Sequence, residues 1–133
     1  MRTAGSIPST PSGEITIQTI AMPADTNANG DIFGGWLVSQ MDLAAGVLAK
    51  KLSKGRASTV AIDTMTFHRP VHIGDVVSCH VKLIKQGNTS MTIAVQAWKE
   101  ILATGEMICV THGTFIFVAI DDLGRPRQVP KST

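Results

Sequence analysis

The stretch Asn27 to Leu48, NANGDIFGGWLVSQMDLAAGVL, holds the residues best placed to do chemistry. Its helical part is apolar around nearly the whole circumference and holds one carboxylate, Asp42. A carboxylate in such surroundings can act as a general base on water, or attack an acyl carbon itself to give a mixed anhydride. Gly34 and Gly35 precede it at the expected helix start, where backbone N–H groups lack intrahelical acceptors and the dipole is positive. Those amides could hold a developing oxyanion, or the glycines could serve close packing alone. Asn27 could orient water or donate to a carbonyl, or simply shape a turn. Asp31 reads as a cap for the helix rather than a catalyst.

The helix expected to position them runs from Phe33 to about Leu52. At 100° per residue, Leu37, Met41, Ala44, Ala45, Leu48 and Leu52 form one apolar stripe. Trp36, Leu43 and Val47 form a second, on roughly the opposite side, so something must cover both. Between them runs a strip of small residues, Gly35, Val38, Ser39, Asp42, Gly46 and Ala49. Two glycines within a helix cost about 1 kcal/mol each against alanine, which suggests a backbone or ligand approaching closely.

Strand patterns flank the helix. Residues 14–20 alternate polar and apolar, and Pro23 with the Asp25–Asp31 turn formers leads into the helix. Beyond Gly55 come four more: 58–67, 75–85, 90–98 and 105–120. The third alternates Val77, Cys79, Val81 and Leu83 against Ser78, His80 and Lys82; the fourth points Met91, Ile93, Val95 and Ala97 inward. The last, apolar on both faces at Phe115–Val118, is expected at the centre of the sheet. Hairpin links such as Gln86-Gly87-Asn88 imply an antiparallel sheet. The fold class is therefore α+β, a five-stranded antiparallel sheet curled around one long helix. Residues 1–13, rich in Ser, Thr, Pro and Gly, read as a flexible arm; 14–126 form the domain and 127–133 a basic tail. An unpaired sheet edge favours pairing with a second copy.

Composition excludes several classes. A hydrophobic share of 44% against 17% charged describes a globular chain, and 133 residues suffice for one core. A net charge of +2, with four Phe, two Trp and no Tyr, argues against nucleic acid as partner. No apolar run approaches the roughly 20 residues that span a bilayer, and the N-terminus lacks a signal-peptide core. A cytoplasmic protein without membrane contact is expected. Cys79 and Cys109 lie in strand-like runs without CxxC spacing and read as reduced core residues. His68, His72, His80 and His112 show no metal spacing and are read as structural; no metal is expected.

Three strings carry a resemblance: MPADTNANGDIFGGWLVSQMD (Met22 to Asp42), TFHRPVHIGDVV (Thr66 to Val77) and VTHGTFIFVAID (Val110 to Asp121). Together they closely resemble the YciA-like acyl-CoA thioesterases of the hotdog fold, over roughly residues 14 to 130. The resemblance implies hydrolysis of short- to medium-chain acyl-CoA to CoA and free acid, with coenzyme A as part of substrate and product and no cofactor. It also implies homodimers assembled as trimers of dimers, with sites at the dimer interface, an essential aspartate at Asp42, and Asn27 near the site from the partner subunit. Coenzyme A demands a thin tunnel with a basic rim. Arg69, Lys85 and Arg125 (with Arg127 beside it) lie at strand ends or turns, and Gly87, Asn88, Thr89 and Ser90 could present donors to phosphate. Each basic residue could equally be solvated surface. Two other readings stay open: a hydratase or dehydratase of the same fold, which would need a histidine absent from the helix and its entrance, and a non-catalytic acyl-CoA sensor, which would need no carboxylate beside a thioester.

Overall fold

A computed structural model of the chain describes residues 7–131. Strands β1 (Glu14–Ile20), β2 (Ala57–Phe67), β3 (Val76–Gln86), β4 (Ser90–Ile101) and β5 (Glu106–Ala119) form one sheet, and a single long helix, α1 (Gly34–Ser53), follows β1. A 3-10 turn at Pro23–Asp25 starts the link to the helix. Every pairing is antiparallel and the order is β1-β3-β4-β5-β2. β5 is thus interior, as its two apolar faces require, but the central strand is β4. The reason is topological: the hairpins β3–β4 and β4–β5 put β4 between its sequence neighbours, and β2 closes the far side of β5.

The helix touches all five strands. Leu37, Met41, Ala44, Ala45 and Leu48 are buried on its sheet-facing side, in the stripe expected from helical spacing; Ala49, placed on the small-residue strip, is buried with them, while Leu52 is only partly buried. Alanines at the middle of that stripe let the helix axis lie close to the sheet, so Met91, Ile93, Val95, Phe115 and Phe117 pack directly on it. The Thr16 hydroxyl donates to the Ala44 carbonyl at 2.8 Å and ties β1 to the mid-helix. The opposite patch is not covered by the sheet: Leu43 is 58% exposed and Val47 37%. The edge strand β2 likewise shows Val60, Ile62 and Phe67 to solvent. Two apolar surfaces, one on the helix and one on the neighbouring edge, are left for another molecule.

The helix starts at Phe33, which caps without a side-chain bond, so Asp31 does not take the capping place expected of it. It ends at Ser53, one residue past the expected end near Leu52, and Lys54 caps it in the left-handed region at φ 55°. Arg127 completes that end by donating to the carbonyls of Ser53 (2.8 Å), Arg56 (3.1 Å) and Ile120 (2.8 Å). The tail continues along the domain: the Val129 amide donates to Asn88 O and its side chain is buried. Of the N-terminal arm, residues 1–6 lie outside the described residues. Residues 7–13 carry no regular element, yet the Ser12 amide donates to Gln96 Oε1 at 3.0 Å. Gly13 follows at φ 99°, where a Cβ would stand 2.3 Å from Val81 O, so only glycine fits there.

Candidate active site

Asp42 lies on α1 at the boundary between its buried face and the open Leu43–Val47 patch. Directly across, the helix-facing side of β2 presents Thr59, whose hydroxyl donates to Asp42 Oδ1 at 2.6 Å. This short, charge-assisted bond fixes one oxygen of the carboxylate. A carboxylate has about four acceptor positions, so the remaining ones can hold water or substrate. Around the pair is a cleft of about 340 Å³, walled by Ile17, Leu43, Val47, Ala57 and Phe117, with Gly46 on its floor and Lys50 farther along the helix. The small-residue strip therefore does open a path to Asp42. A Cβ on Gly46 would meet the Phe117 ring at 3.7 Å, an ordinary contact, so the glycine widens the cleft rather than relieving a clash.

The helix start forms a separate site. With no side-chain cap at Phe33, the amides of Gly34 and Gly35 have no acceptor among the described residues. Packing within the protomer does not demand either glycine: a Cβ on Gly34 would sit 3.4 Å from the Phe67 ring, and one on Gly35 would meet nothing within 4 Å. Gly34 opens instead on a second cavity of about 310 Å³, lined also by Leu37, Phe67, His68 and Arg69. Gly34 and Asp42 are eight residues apart, or about 12 Å along the axis at 1.5 Å per residue. One protomer therefore does not bring its own amide donors and its own carboxylate to the same carbonyl.

The entrance loop is held by Asn27, whose Oδ1 accepts from the amides of Asn29 (2.9 Å) and Asp31 (3.1 Å). That contact is the turn role, and Asn27 shares no contact with Asp42 in the protomer. Among the residues considered for coenzyme A, Arg69 stands beside the helix start, its amide donating to Val110 O. Lys85 and the Gly87–Ser90 turn stand at the other end of the sheet, because Ser90 pairs with Val118. Eight residues of β5, about 26 Å at 3.3 Å each, separate the two groups. In the turn, Gly87 N donates to Ser90 O, while the carbonyls of Asn88 and Thr89 receive Val129 N and Ala119 N. The Arg125 amide, followed by the Leu123 amide and the Arg125 guanidinium at 3.2 Å, holds the Asp121 carboxyl below its usual range.

Cys79 and Cys109 are both free and buried, and burial pushes their thiols up to about 12 and about 11. Cys109 lies outside the core cluster, on the outer side of the sheet near the paired histidines His68 and His112. Thr59 and Arg127 carry work that sequence reading did not assign them. Thr59 had one legible signal, a hydroxyl two residues from Ala57 on what alternation makes the helix-facing side of β2. Arg127 had none, since its acceptors are main-chain carbonyls brought together only by the fold.

A single helix cradled by an antiparallel sheet in this order is the hotdog fold, and an aspartate on the helix is the reactive group its cleft offers. The thioesterase superfamily model matches residues 29–106. The acyl-CoA thioester hydrolase YciA of Salmonella typhimurium is 50% identical over 124 residues, covering 91% of this chain and 93% of its own. Among solved structures, a hexameric thioesterase from Yersinia pestis superposes with a TM-score of 0.88 at 49% identity, covering 92% of this chain and all of that one. A hexameric broad specificity acyl-coenzyme A thioesterase, solved as an aspartate-to-alanine mutant, gives the same TM-score at 46% identity over 92% of this chain and 90% of its own. The chain belongs to the thioesterase superfamily and, within it, to the YciA-like acyl-CoA thioester hydrolases.

Proposed function

We propose that this protein hydrolyses short- to medium-chain acyl-CoA to CoA and a free carboxylic acid, with Asp42 as the general base. The observation carrying this reading is the Asp42 carboxylate, fixed by Thr59 in a cleft with apolar walls. Water bound to Asp42 loses a proton to it as its oxygen attacks the thioester carbon. The tetrahedral oxyanion then collapses, the C–S bond breaks, and the departing thiolate recovers the proton. No histidine lines the cleft, so a hydratase, which needs one, has no support there.

The oxyanion donors in this reading are Gly34 and Gly35 of the partner subunit. The 12 Å spacing along one helix excludes the same-chain pair, whereas a two-fold axis beside α1 would set the start of one helix against the middle of the other. The apolar Leu43–Val47 patch and the exposed edge of β2 supply the surface for that contact. The same dimer would draw coenzyme A contacts from Arg69 of one protomer and the Lys85–Ser90 turn of the other, since about 26 Å separates them within a chain. Three such dimers would give the hexameric assembly carried by the similar structures. The membership of Asn27 in the site likewise rests on delivery from the partner subunit.

Release of free thiol from an acyl-CoA series of increasing chain length tests the proposal. Hydrolysis that peaks at short or medium chains is expected. CoA binding without hydrolysis at any length would replace the enzyme with a sensor.

A further inference from the structure

Outside the Asp42 cleft, one cluster of side chains is given no role in the proposed hydrolysis. His68 Nε2 and His112 Nδ1 lie 2.8 Å apart, and the Cys109 sulfur joins them so that one donor atom from each residue falls within 4.8 Å of the others. In a regular strand, Cys109 and His112, three residues apart, would face opposite sides of the sheet. β5 departs from regularity here: Trp98 pairs with Cys109 but Ala97 pairs with Thr111, leaving Val110 as an extra residue. That bulge turns both side chains to the outer face. The Val110 carbonyl also accepts the amides of His68 (2.7 Å) and Arg69 (3.2 Å), which sets His68 beside them just past the end of β2.

We infer that His68, Cys109 and His112 form a binding site for a closed-shell d10 metal ion, Zn2+ or Cu+. Two imidazoles and one thiolate are the ligand set such ions take. Two metal–nitrogen bonds of about 2.05 Å at a tetrahedral angle need the nitrogens about 3.3 Å apart, a widening of about half an ångström. Binding breaks the S–H bond of Cys109 and forms a metal–sulfur bond, so one proton leaves per ion. One imidazole shifts its proton to its other ring nitrogen, replacing the histidine–histidine hydrogen bond by two metal–nitrogen bonds. The 310 Å³ cavity beside His68 offers room for a water as the fourth ligand. The charge of Arg69 weighs against a doubly charged ion and for Cu+, with which the three ligands make a neutral unit.

The ion would pin the end of edge strand β2 to β5, beside the cavity onto which Gly34 opens. Thr59 pairs with Phe117 and the His68 amide bonds Val110, seven residues of β5 or about 23 Å apart, which puts the cluster far from the Asp42 of its own chain.

The test uses the purified full chain, stripped with a chelator and kept reduced. Zn2+ is titrated against a chromophoric competitor, Cu+ anaerobically against a Cu+ indicator, and Co2+ is added as a spectroscopic stand-in for Zn2+. One ion per chain is expected, with a thiolate-to-cobalt charge-transfer band. Losing a ligand should weaken binding about 100-fold or more in Cys109→Ser and in His68→Gln, while Cys79→Ser binds normally. His68→Gln, at the half-buried end of the edge strand, keeps the test meaningful if the buried cysteine variant fails to fold. Tighter retention of Zn2+ or of Cu+ assigns the ion. Binding of neither, no thiolate band, or unchanged affinity in His68→Gln would overturn the site.

Discussion

Replacing Thr59 with valine removes one hydroxyl and keeps the shape of the side chain. In this structure that hydroxyl has one acceptor, Asp42 Oδ1 at 2.6 Å. Hydrogen bonds to a charged group contribute about 1.5–3 kcal/mol, and the half-exposed site places this one at the low end. Taking about 1.5 kcal/mol as the cost of a carboxylate no longer held in place, kcat should fall about tenfold. In the proposed mechanism the hydroxyl acts through Asp42, so KM and the affinity for CoA should stay as they are. Thr59→Ser restores the donor and should recover most of the rate. The assay is steady-state thiol release, with circular dichroism to confirm folding. Wild-type kcat in Thr59→Val, or equal damage in Thr59→Ser, would refute the idea that this bond positions the base.

Three further outcomes follow from contacts elsewhere. Arg127→Met removes donors from three carbonyls that close the helix end; a loss of about 2 kcal/mol, or about 8 °C in Tm, is expected, and an unchanged melting curve would contradict it. With Cys79 and Cys109 pushed up to about 12 and about 11, neither thiol should react with iodoacetamide at pH 8 until the chain unfolds. The sign for stability follows: raised thiol pKa values stabilise fully below the unfolded value of about 9, and that contribution should fade as pH climbs from there towards 12. Chemical denaturation at pH 8 and pH 10.5 checks this, and equal midpoints would contradict it. Ile62→Asp puts a charge on the exposed β2 edge; light scattering should show smaller species, and an unaltered mass would place the interface elsewhere.

Much of this was legible in the sequence because periodicity is a local signal. The Leu37–Leu48 stripe, the alternation from Val77 to Leu83 and the hairpin at Gln86–Asn88 each encode burial or a turn within a few residues, and the structure follows them. The centre of the sheet was misplaced because an apolar strand reports burial on both faces but not its neighbours. The helix cap was misassigned for a related reason: Asp31 suits the role chemically, but the chain enters the helix two residues later. Asp42 stood out as a lone charge among small neighbours. Thr59, 17 residues away, needed the β2–α1 packing to reveal it, and the histidine–cysteine cluster needed a bulge at Val110 that leaves no mark in composition. The division between the Gly34 and Asp42 sites became visible only in the folded chain, and it is why the proposed mechanism draws its oxyanion donors from a second subunit.

The most direct measurement is single-turnover hydrolysis of a bound acyl-CoA by wild type and Asp42→Asn, with CoA affinity determined in parallel. Asparagine keeps the size and the contact to Thr59 but cannot take a proton from water. A fall in the rate of about a hundredfold or more, with CoA bound as tightly as before, is the result expected of a lost general base. Hydrolysis at the wild-type rate in Asp42→Asn would mean that the chemistry lies elsewhere in the protein.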